Sequence, residues 1–175
     1  MPATRKTAGL LLGALLGASA AAYASTTQQT LRFKVYLDQS PIGEHSFELS
    51  TGGAEKEVVS RARFDVSVLI FKAYRYRHES REQWRDGCLE RIESATDDNG
   101  KDFQVLGERV ANALRLEVNG RGDRLPACVS TFAYWDPDFL KRPRLLNPQT
   151  GELIDVRLEA QGRDRRAFRG REVDA

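Results

Sequence analysis

The residues of this chain whose types could do chemistry are few. They are His45 and His78, Cys88 and Cys128, and the rings and cations packed into "AYRYRHESREQW" (73–84). A Ser-His-Asp site would need one of the two histidines, but no G-x-S-x-G or other nucleophile context accompanies them. A zinc site needs three or four ligands, and neither histidine has a second His or Cys at ligand spacing, so no metal is expected. Phosphate-loop and dinucleotide fingerprints are absent, and no cofactor is expected. Asp97, Asp98 and Asp102 could pair for acid-base hydrolysis, yet they flank a turn, where Asp is favoured for local hydrogen bonding.

The 73–84 stretch is the best candidate surface. In an extended chain one face carries Tyr74, Tyr76 and His78, and the other carries Arg75 and Arg77. The aromatic face, turned into a barrel, would line a pocket for an amphipathic ligand. The Arg face could hold an anionic head group. The simpler reading is an apolar core row ending in aromatics, backed by a solvated charge ladder paired across strands.

A second cluster, "TFAYWDP" (131–137), adds Tyr134 and Trp135. Asp136-Pro137-Asp138 matches a helix start: Asp136 caps, Pro137 suits the first helical position, and Asp138 complements the positive helix end. Phe139 and Leu140 would pack that short helix back on the sheet before Pro143 stops it. On a strand, Tyr134 and Trp135 would point to opposite faces, so only one of them would join the candidate pocket unless the strand twists or bulges.

The elements that must position these residues read as strands. "LRFKVYL" (31–37) alternates with period two, "EHSFELS" (44–50) follows a turn, and "ELIDVRLEA" (152–160) is a last clear strand. "ACVSTFAYW" (127–135) also reads as a strand. From Glu57 to Arg85 there is no Gly or Pro. Even positions hold Val58, Ala62, Phe64, Val66, Val68, Ile70, Tyr74, Tyr76, His78 and Trp84, and Lys72 breaks that even face. Odd positions hold Arg61, Arg63, Asp65, Arg75, Arg77, Glu79, Arg81 and Arg85. One straight strand of that length would extend about 95 Å at roughly 3.3 Å per residue. The run must therefore bend sharply or be two strands, with the bend near Lys72. An unbroken phase suits a coiled barrel strand better than a hairpin, which would need turn residues. A helix over Glu79–Arg85 is the alternative. "DDNG" (97–100) is a hairpin signal through Asn-Gly, and "NGRGD" (119–123) is another turn, its R-G-D a chance tripeptide. "NPQTG" (147–151) reads as a plain turn. The segment between "DFQVLGERV" and "LRLEV" has no clear assignment. The fold class is thus mainly β: an antiparallel barrel, half-barrel or strongly curved sheet of seven to ten strands. One short helix follows the strand ending near Trp135.

The ends and the charge set the context. Residues 1–24 read as a signal peptide: Arg5 and Lys6, an apolar stretch, then Ala22-Tyr23-Ala24 as the cleavage pattern. Cleavage after Ala24 would place the protein in the periplasm or outside the cell and leave no membrane span. Residues 25–160 form one β domain, and 161–175 a charged, disordered tail. Arg5 and Lys6 leave with the signal, and with them the formal charge of +2; no nucleic acid partner is implied. In an oxidising compartment Cys88 and Cys128 are expected to pair, which would stabilise by about 3–4 kcal/mol in the chain-entropy model. The oligomeric state is not legible.

"SPIGEHSFELS", "ARFDVSVLIFKAYRYRHESREQW", "CLERIESATDDNG", "CVSTFAYWDPDFL" and "LLNPQTGEL" together resemble an uncharacterised exported bacterial family, domain of unknown function 6134. The resemblance covers roughly Leu31 to Val156. It implies an exported, mainly β protein and supplies no catalytic residues. It also implies further aromatic-rich strands beyond Ala160. Here Arg, Gly, Asp and Ala take over, a composition that a shifted reading frame in GC-rich DNA gives, so the closing strands are expected to be missing.

These readings converge on a periplasmic binding or accessory protein for an amphipathic envelope molecule such as a lipid. Tyr74, Tyr76, His78, Tyr134 and Trp135 would line the site. The alternatives are an enzyme acting on such a molecule with His78 as acid or base, and a non-catalytic envelope scaffold.

Overall fold

The computed structural model describes residues 26–68, 71–159, 162–168 and 170–174. The signal-peptide reading of residues 1–24 falls outside them. Eight strands form one antiparallel meander in chain order: β1 (Thr27–Leu37), β2 (Ser40–Gly52), β3 (Glu55–Val68), β4 (Phe71–Arg85), β5 (Cys88–Asp98), β6 (Lys101–Val110), β7 (Ala113–Val118) and β8 (Arg121–Pro126). β1 and β8 are the two edges, so the sheet is open and no barrel closes. Among the described residues no helix is long and apolar enough to cross a membrane.

The run from Glu57 to Arg85 is a hairpin of β3 and β4, not one coiled strand or a strand and a helix. Its connection, residues 69–70, lies outside the described residues. A bulge explains the unbroken phase. Next to the connection Val68 faces Phe71 and Ser67 faces Lys72, which pairs even positions with odd ones. The register then shifts, so that Val66 faces Tyr74 and the pairs farther from the connection match even with even and odd with odd. One extra residue, Ala73, returns the even side chains of both strands to the same face.

Asn99-Gly100 and Asn119-Gly120 both hold positive φ, as Asn-Gly hairpins require. R-G-D sits at the start of β8, past the turn. The unassigned segment after β6 is a two-residue turn, Ala111-Asn112, with Ala111 at φ 53°. It carries no glycine, so nothing in its composition announced it.

Residues 127–158 form a cover over one face of the sheet. Residues 127–135 are not a strand: apart from one bridge, Thr131 to Leu146, they run as bends and irregular backbone that turns at 134–135. Their backbone amides bond locally, Ala133 to Thr131 and Tyr134 to Phe132. The helix start is as expected, with Asp136 accepting from the Asp138 amide at the head of a 3₁₀ helix (Pro137–Lys141). Phe139 packs against the core, whereas Leu140 is exposed. β9 (Arg144–Leu146) pairs with β10 (Leu153–Asp155), which is much shorter than the strand read over 152–160. Past it, in the segment read as a tail, β11 (Arg165–Phe168) and β12 (Arg171–Asp174) make a separate hairpin.

The core lies between sheet and cover. Leu49, Val58, Trp84, Leu89, Ile92, Val105, Leu114 and Leu116 meet Val129, Ala133 and Leu146 there. Leu145 and Leu146 are almost fully buried, and each contributes about 2 kcal/mol of apolar burial. The Cys88–Cys128 disulfide is formed, Cα to Cα 4.8 Å, and ties the start of β5 to the start of the cover.

Candidate functional site

The register arranges the inner face in rows across the strands. One row runs Leu49, Val58, Glu82, Ile92, Gly107, Leu116. The next runs Phe47, Ser60, Ser80, Ser94, Val105, Val118, and the third His45, Ala62, His78, Thr96, Phe103. Two apolar flanks therefore enclose a polar centre: a carboxyl, three serines, two imidazoles and a threonine. Such groups under a cover need partners or a reason to lack them.

Some have partners. His45 Nε2 and Ser60 Oγ are 2.9 Å apart. His78 Nδ1 lies 2.8 Å from Thr96 Oγ1, which donates in turn to the Gln149 carbonyl at 3.2 Å. Thr96 has one hydroxyl proton, and the carbonyl can only accept, so His78 Nδ1 is the donor and Nε2 carries the lone pair. Burial, with His45 nearby, pulls the His78 imidazole down to about 4; burial also lowers His45. Ser94 donates to the Pro148 carbonyl. The N-P-Q-T-G turn thus docks on the polar rows, where Gly151, at φ 76°, meets Val118 with no room for a Cβ.

Glu82 is the exception. It is 4% exposed and sits mid-sheet. Its Oε2 accepts from Trp84 Nε1 at 3.0 Å and from Thr131 Oγ1 at 3.2 Å, while Oε1 meets no hydrogen-bond partner among the described residues. Burial pushes its carboxyl up to about 7, against the opposing pull of the Thr131 and Trp84 bonds. Beside it, Ser80 Oγ is buried with no hydrogen-bond partner.

These groups border a cavity of about 200 Å³. Its floor is His45, Ser60, His78, Ser80 and Glu82; its walls are Phe47, Val58, Phe132, Tyr134, Trp135 and Ile154; residues 147–149 close one side. Larger grooves of 720 and 890 Å³ lie elsewhere, but they are open and edged with charged side chains.

Of the residues singled out in the sequence, His78, Tyr134 and Trp135 meet at this cavity. Both Tyr134 and Trp135 reach it because the chain turns there instead of running as a strand. Trp135 stands edge-on to Trp84, centroids 5.4 Å apart, under Lys56, which is paired with Asp136 at 2.8 Å. Tyr74 and Tyr76 lie outside it. They continue the aromatic ladder from His78 along β4, with centroid steps of 6.4 and 6.5 Å, and Phe64 stacks on Tyr76 at 5.2 Å. Tyr74 donates to Asp98 at 2.6 Å, and that bond pushes its phenol up to about 12. Arg75 and Arg77 face the other side and pair with Asp97 (2.6 Å) and Asp65 (2.7 Å) in a cross-strand ladder that includes Arg81–Glu57 and Arg85–Glu55. Glu82 and Ser80 were missed; His45 was noticed but not placed at a site, and the 147–151 turn was recognised without its place at the cavity. For Glu82 the signal was present, since a carboxylate occupies the same even phase as Tyr76, His78 and Trp84.

Comparison with curated proteins and with solved structures gave no match. A family model described as a domain of unknown function (DUF6134) matches residues 33–175. That span includes the whole cavity and extends through the segment whose composition suggested a shifted frame. It covers most of the sequence, and the chain belongs to that family.

Proposed function

We propose that this protein is an exported binding module for a small amphipathic molecule of the cell envelope. The observation that carries the reading is the cavity itself. It has an aromatic wall on the cover and unpartnered polar atoms on the sheet, the division an amphipathic ligand needs. At about 200 Å³ it is smaller than the roughly 300–1,000 Å³ of drug-sized sites. It would therefore hold a small molecule, or one end of a larger one such as a lipid, with the remainder along the Phe64–Tyr76–Tyr74 ladder. The Cys88–Cys128 disulfide and the A-Y-A pattern before Ser25 support export to an oxidising compartment.

Native mass spectrometry of the exported protein tests both parts. The expected species starts at Ser25 and carries a small organic molecule that solvent extraction recovers. A bare chain in every preparation would count against binding, and an uncut N-terminus against export.

One observation favours an enzyme as the second reading. Neutral His78 donates from Nδ1 to Thr96 and leaves Nε2 free, as a general base requires. His78→Gln would then spare ligand uptake and abolish turnover.

A further inference from the structure

We propose that the cavity is a site for a small organic cation, a primary alkylammonium whose head sits between Glu82 and Ser80. This deepens the binding reading above and rests on it. Three observations point to a cation.

First, Glu82 is buried with one oxygen committed to Trp84 and Thr131 and the other unpartnered at the cavity. A carboxyl in that position must hold a proton or meet a positive charge. Second, no described Lys or Arg side chain supplies such a charge. No Lys or Arg borders the cavity, and Lys56, behind Trp135, is held by Asp136 at 2.8 Å. Third, Ser80 Oγ is fully buried and without a partner on the same strand face, two residues from Glu82. An ammonium brings N–H donors to both oxygens, which an alcohol does only in part and a carboxylate not at all.

The walls fit the rest of such a molecule. Phe132, Tyr134 and Trp135 present ring surfaces that attract cations and accept an alkyl chain. With a water-sized group occupying roughly 30 Å³, the space suits an amine of about five carbons. A carboxylate ligand would face Glu82 with like charge.

The test compares pentylamine, 1-pentanol and pentanoate by calorimetric titration at pH 8 into the wild-type chain and Glu82→Gln. Gln keeps the shape and an acceptor for Trp84 and Thr131. Pentylamine is expected to bind, at least tenfold more tightly than pentanol, and to lose at least tenfold in the variant; pentanoate is expected not to bind. Should the variant not fold, titration of wild type at pH 6 in buffers of different ionisation enthalpy replaces it. Amine binding should then release about one proton, taken from Glu82, and pentanol none. His45, His78 and Tyr134 are the other titratable side chains bordering the cavity; burial lowers both imidazoles, His78 to about 4, and Lys56, behind Trp135, is paired with Asp136. Equal binding of amine and alcohol, amine affinity unchanged by the substitution, or no proton release would overturn the cation assignment and leave the binding reading standing. No binding by any of the three overturns the cation assignment, and together with a bare chain in native mass spectrometry it overturns both.

Discussion

At the scale of single residues, Glu82 and His78 oppose each other. Glu82 has its carboxyl raised from 4.5 to about 7 in the folded chain. Its contribution is complete below about pH 4.5, where folded and unfolded chains both hold the proton, and is lost as pH rises through 7. His78 is lowered from 6.5 to about 4. Its contribution is complete above about pH 6.5 and is lost as pH falls through 4. Each shift corresponds to about 3 kcal/mol, so between pH 4.5 and 6.5 the two nearly cancel. Glu82→Gln leaves His78 unopposed, and that variant should lose about 3 kcal/mol relative to wild type on going from pH 7 to pH 4.5. His78→Gln should show the reverse slope, losing stability toward pH 7. Urea melts of the three proteins at pH 4.5, 5.5 and 7 read this directly; parallel pH profiles would contradict it.

At the scale of elements, periodicity in the sequence told which side chains share a face but not what covers that face. The even phase of 57–85 was legible, and so were the Asn-Gly turns and the Asp136 cap, because each depends on neighbours in sequence. The hairpin between β3 and β4 was not legible, since its connection holds Leu69 and Ile70 rather than turn residues and the bulge at Ala73 hides the change of register. Tyr134 and Trp135 were singled out in the sequence, but their shared cavity depends on turns that their β-rich composition does not suggest. The 147–151 turn was recognised, while its docking on the sheet depends on residues some 50 positions away. Gly151 is the point of closest approach: a Cβ there would stand 2.3 Å from Val118 Cγ2, at a φ that side chains rarely adopt. Gly151→Ala should therefore cost at least about 2 kcal/mol. It should also weaken any ligand of the cavity, because the turn walls it. Chemical denaturation within about 0.5 kcal/mol of wild type would show that the turn does not press on the sheet.

Across the whole molecule, the open sheet and its cover divide the work. The outer face is a ladder of ion pairs, each more than a third exposed on at least one side and worth little individually. Stability comes from the covered face and from the Cys88–Cys128 link, which spans 40 residues and contributes about 4 kcal/mol in the chain-entropy model. The β class and the cysteine pairing were legible because they follow from pattern and count. Which of barrel, half-barrel or curved sheet it forms was not, because closure depends on whether the two edge strands meet, and neither was the separate cover.

The order of strands in the sheet, β1 through β8 with each beside its sequence neighbour, has a kinetic consequence. Every pairing in the sheet closes a short loop, so the hairpins can zip in sequence with little entropic delay. The cover is different: Leu146 N must find Ser130 O, and Leu89 N must find Val129 O, on a surface that already exists. Pulse-labelling hydrogen exchange during refolding should protect the amides paired between strands β4–β7 before those of Leu89 and Leu146, which bond to the cover; simultaneous protection would refute this. The binding site would then be the last part of the chain to assemble, and a bound ligand would act on the final step of folding.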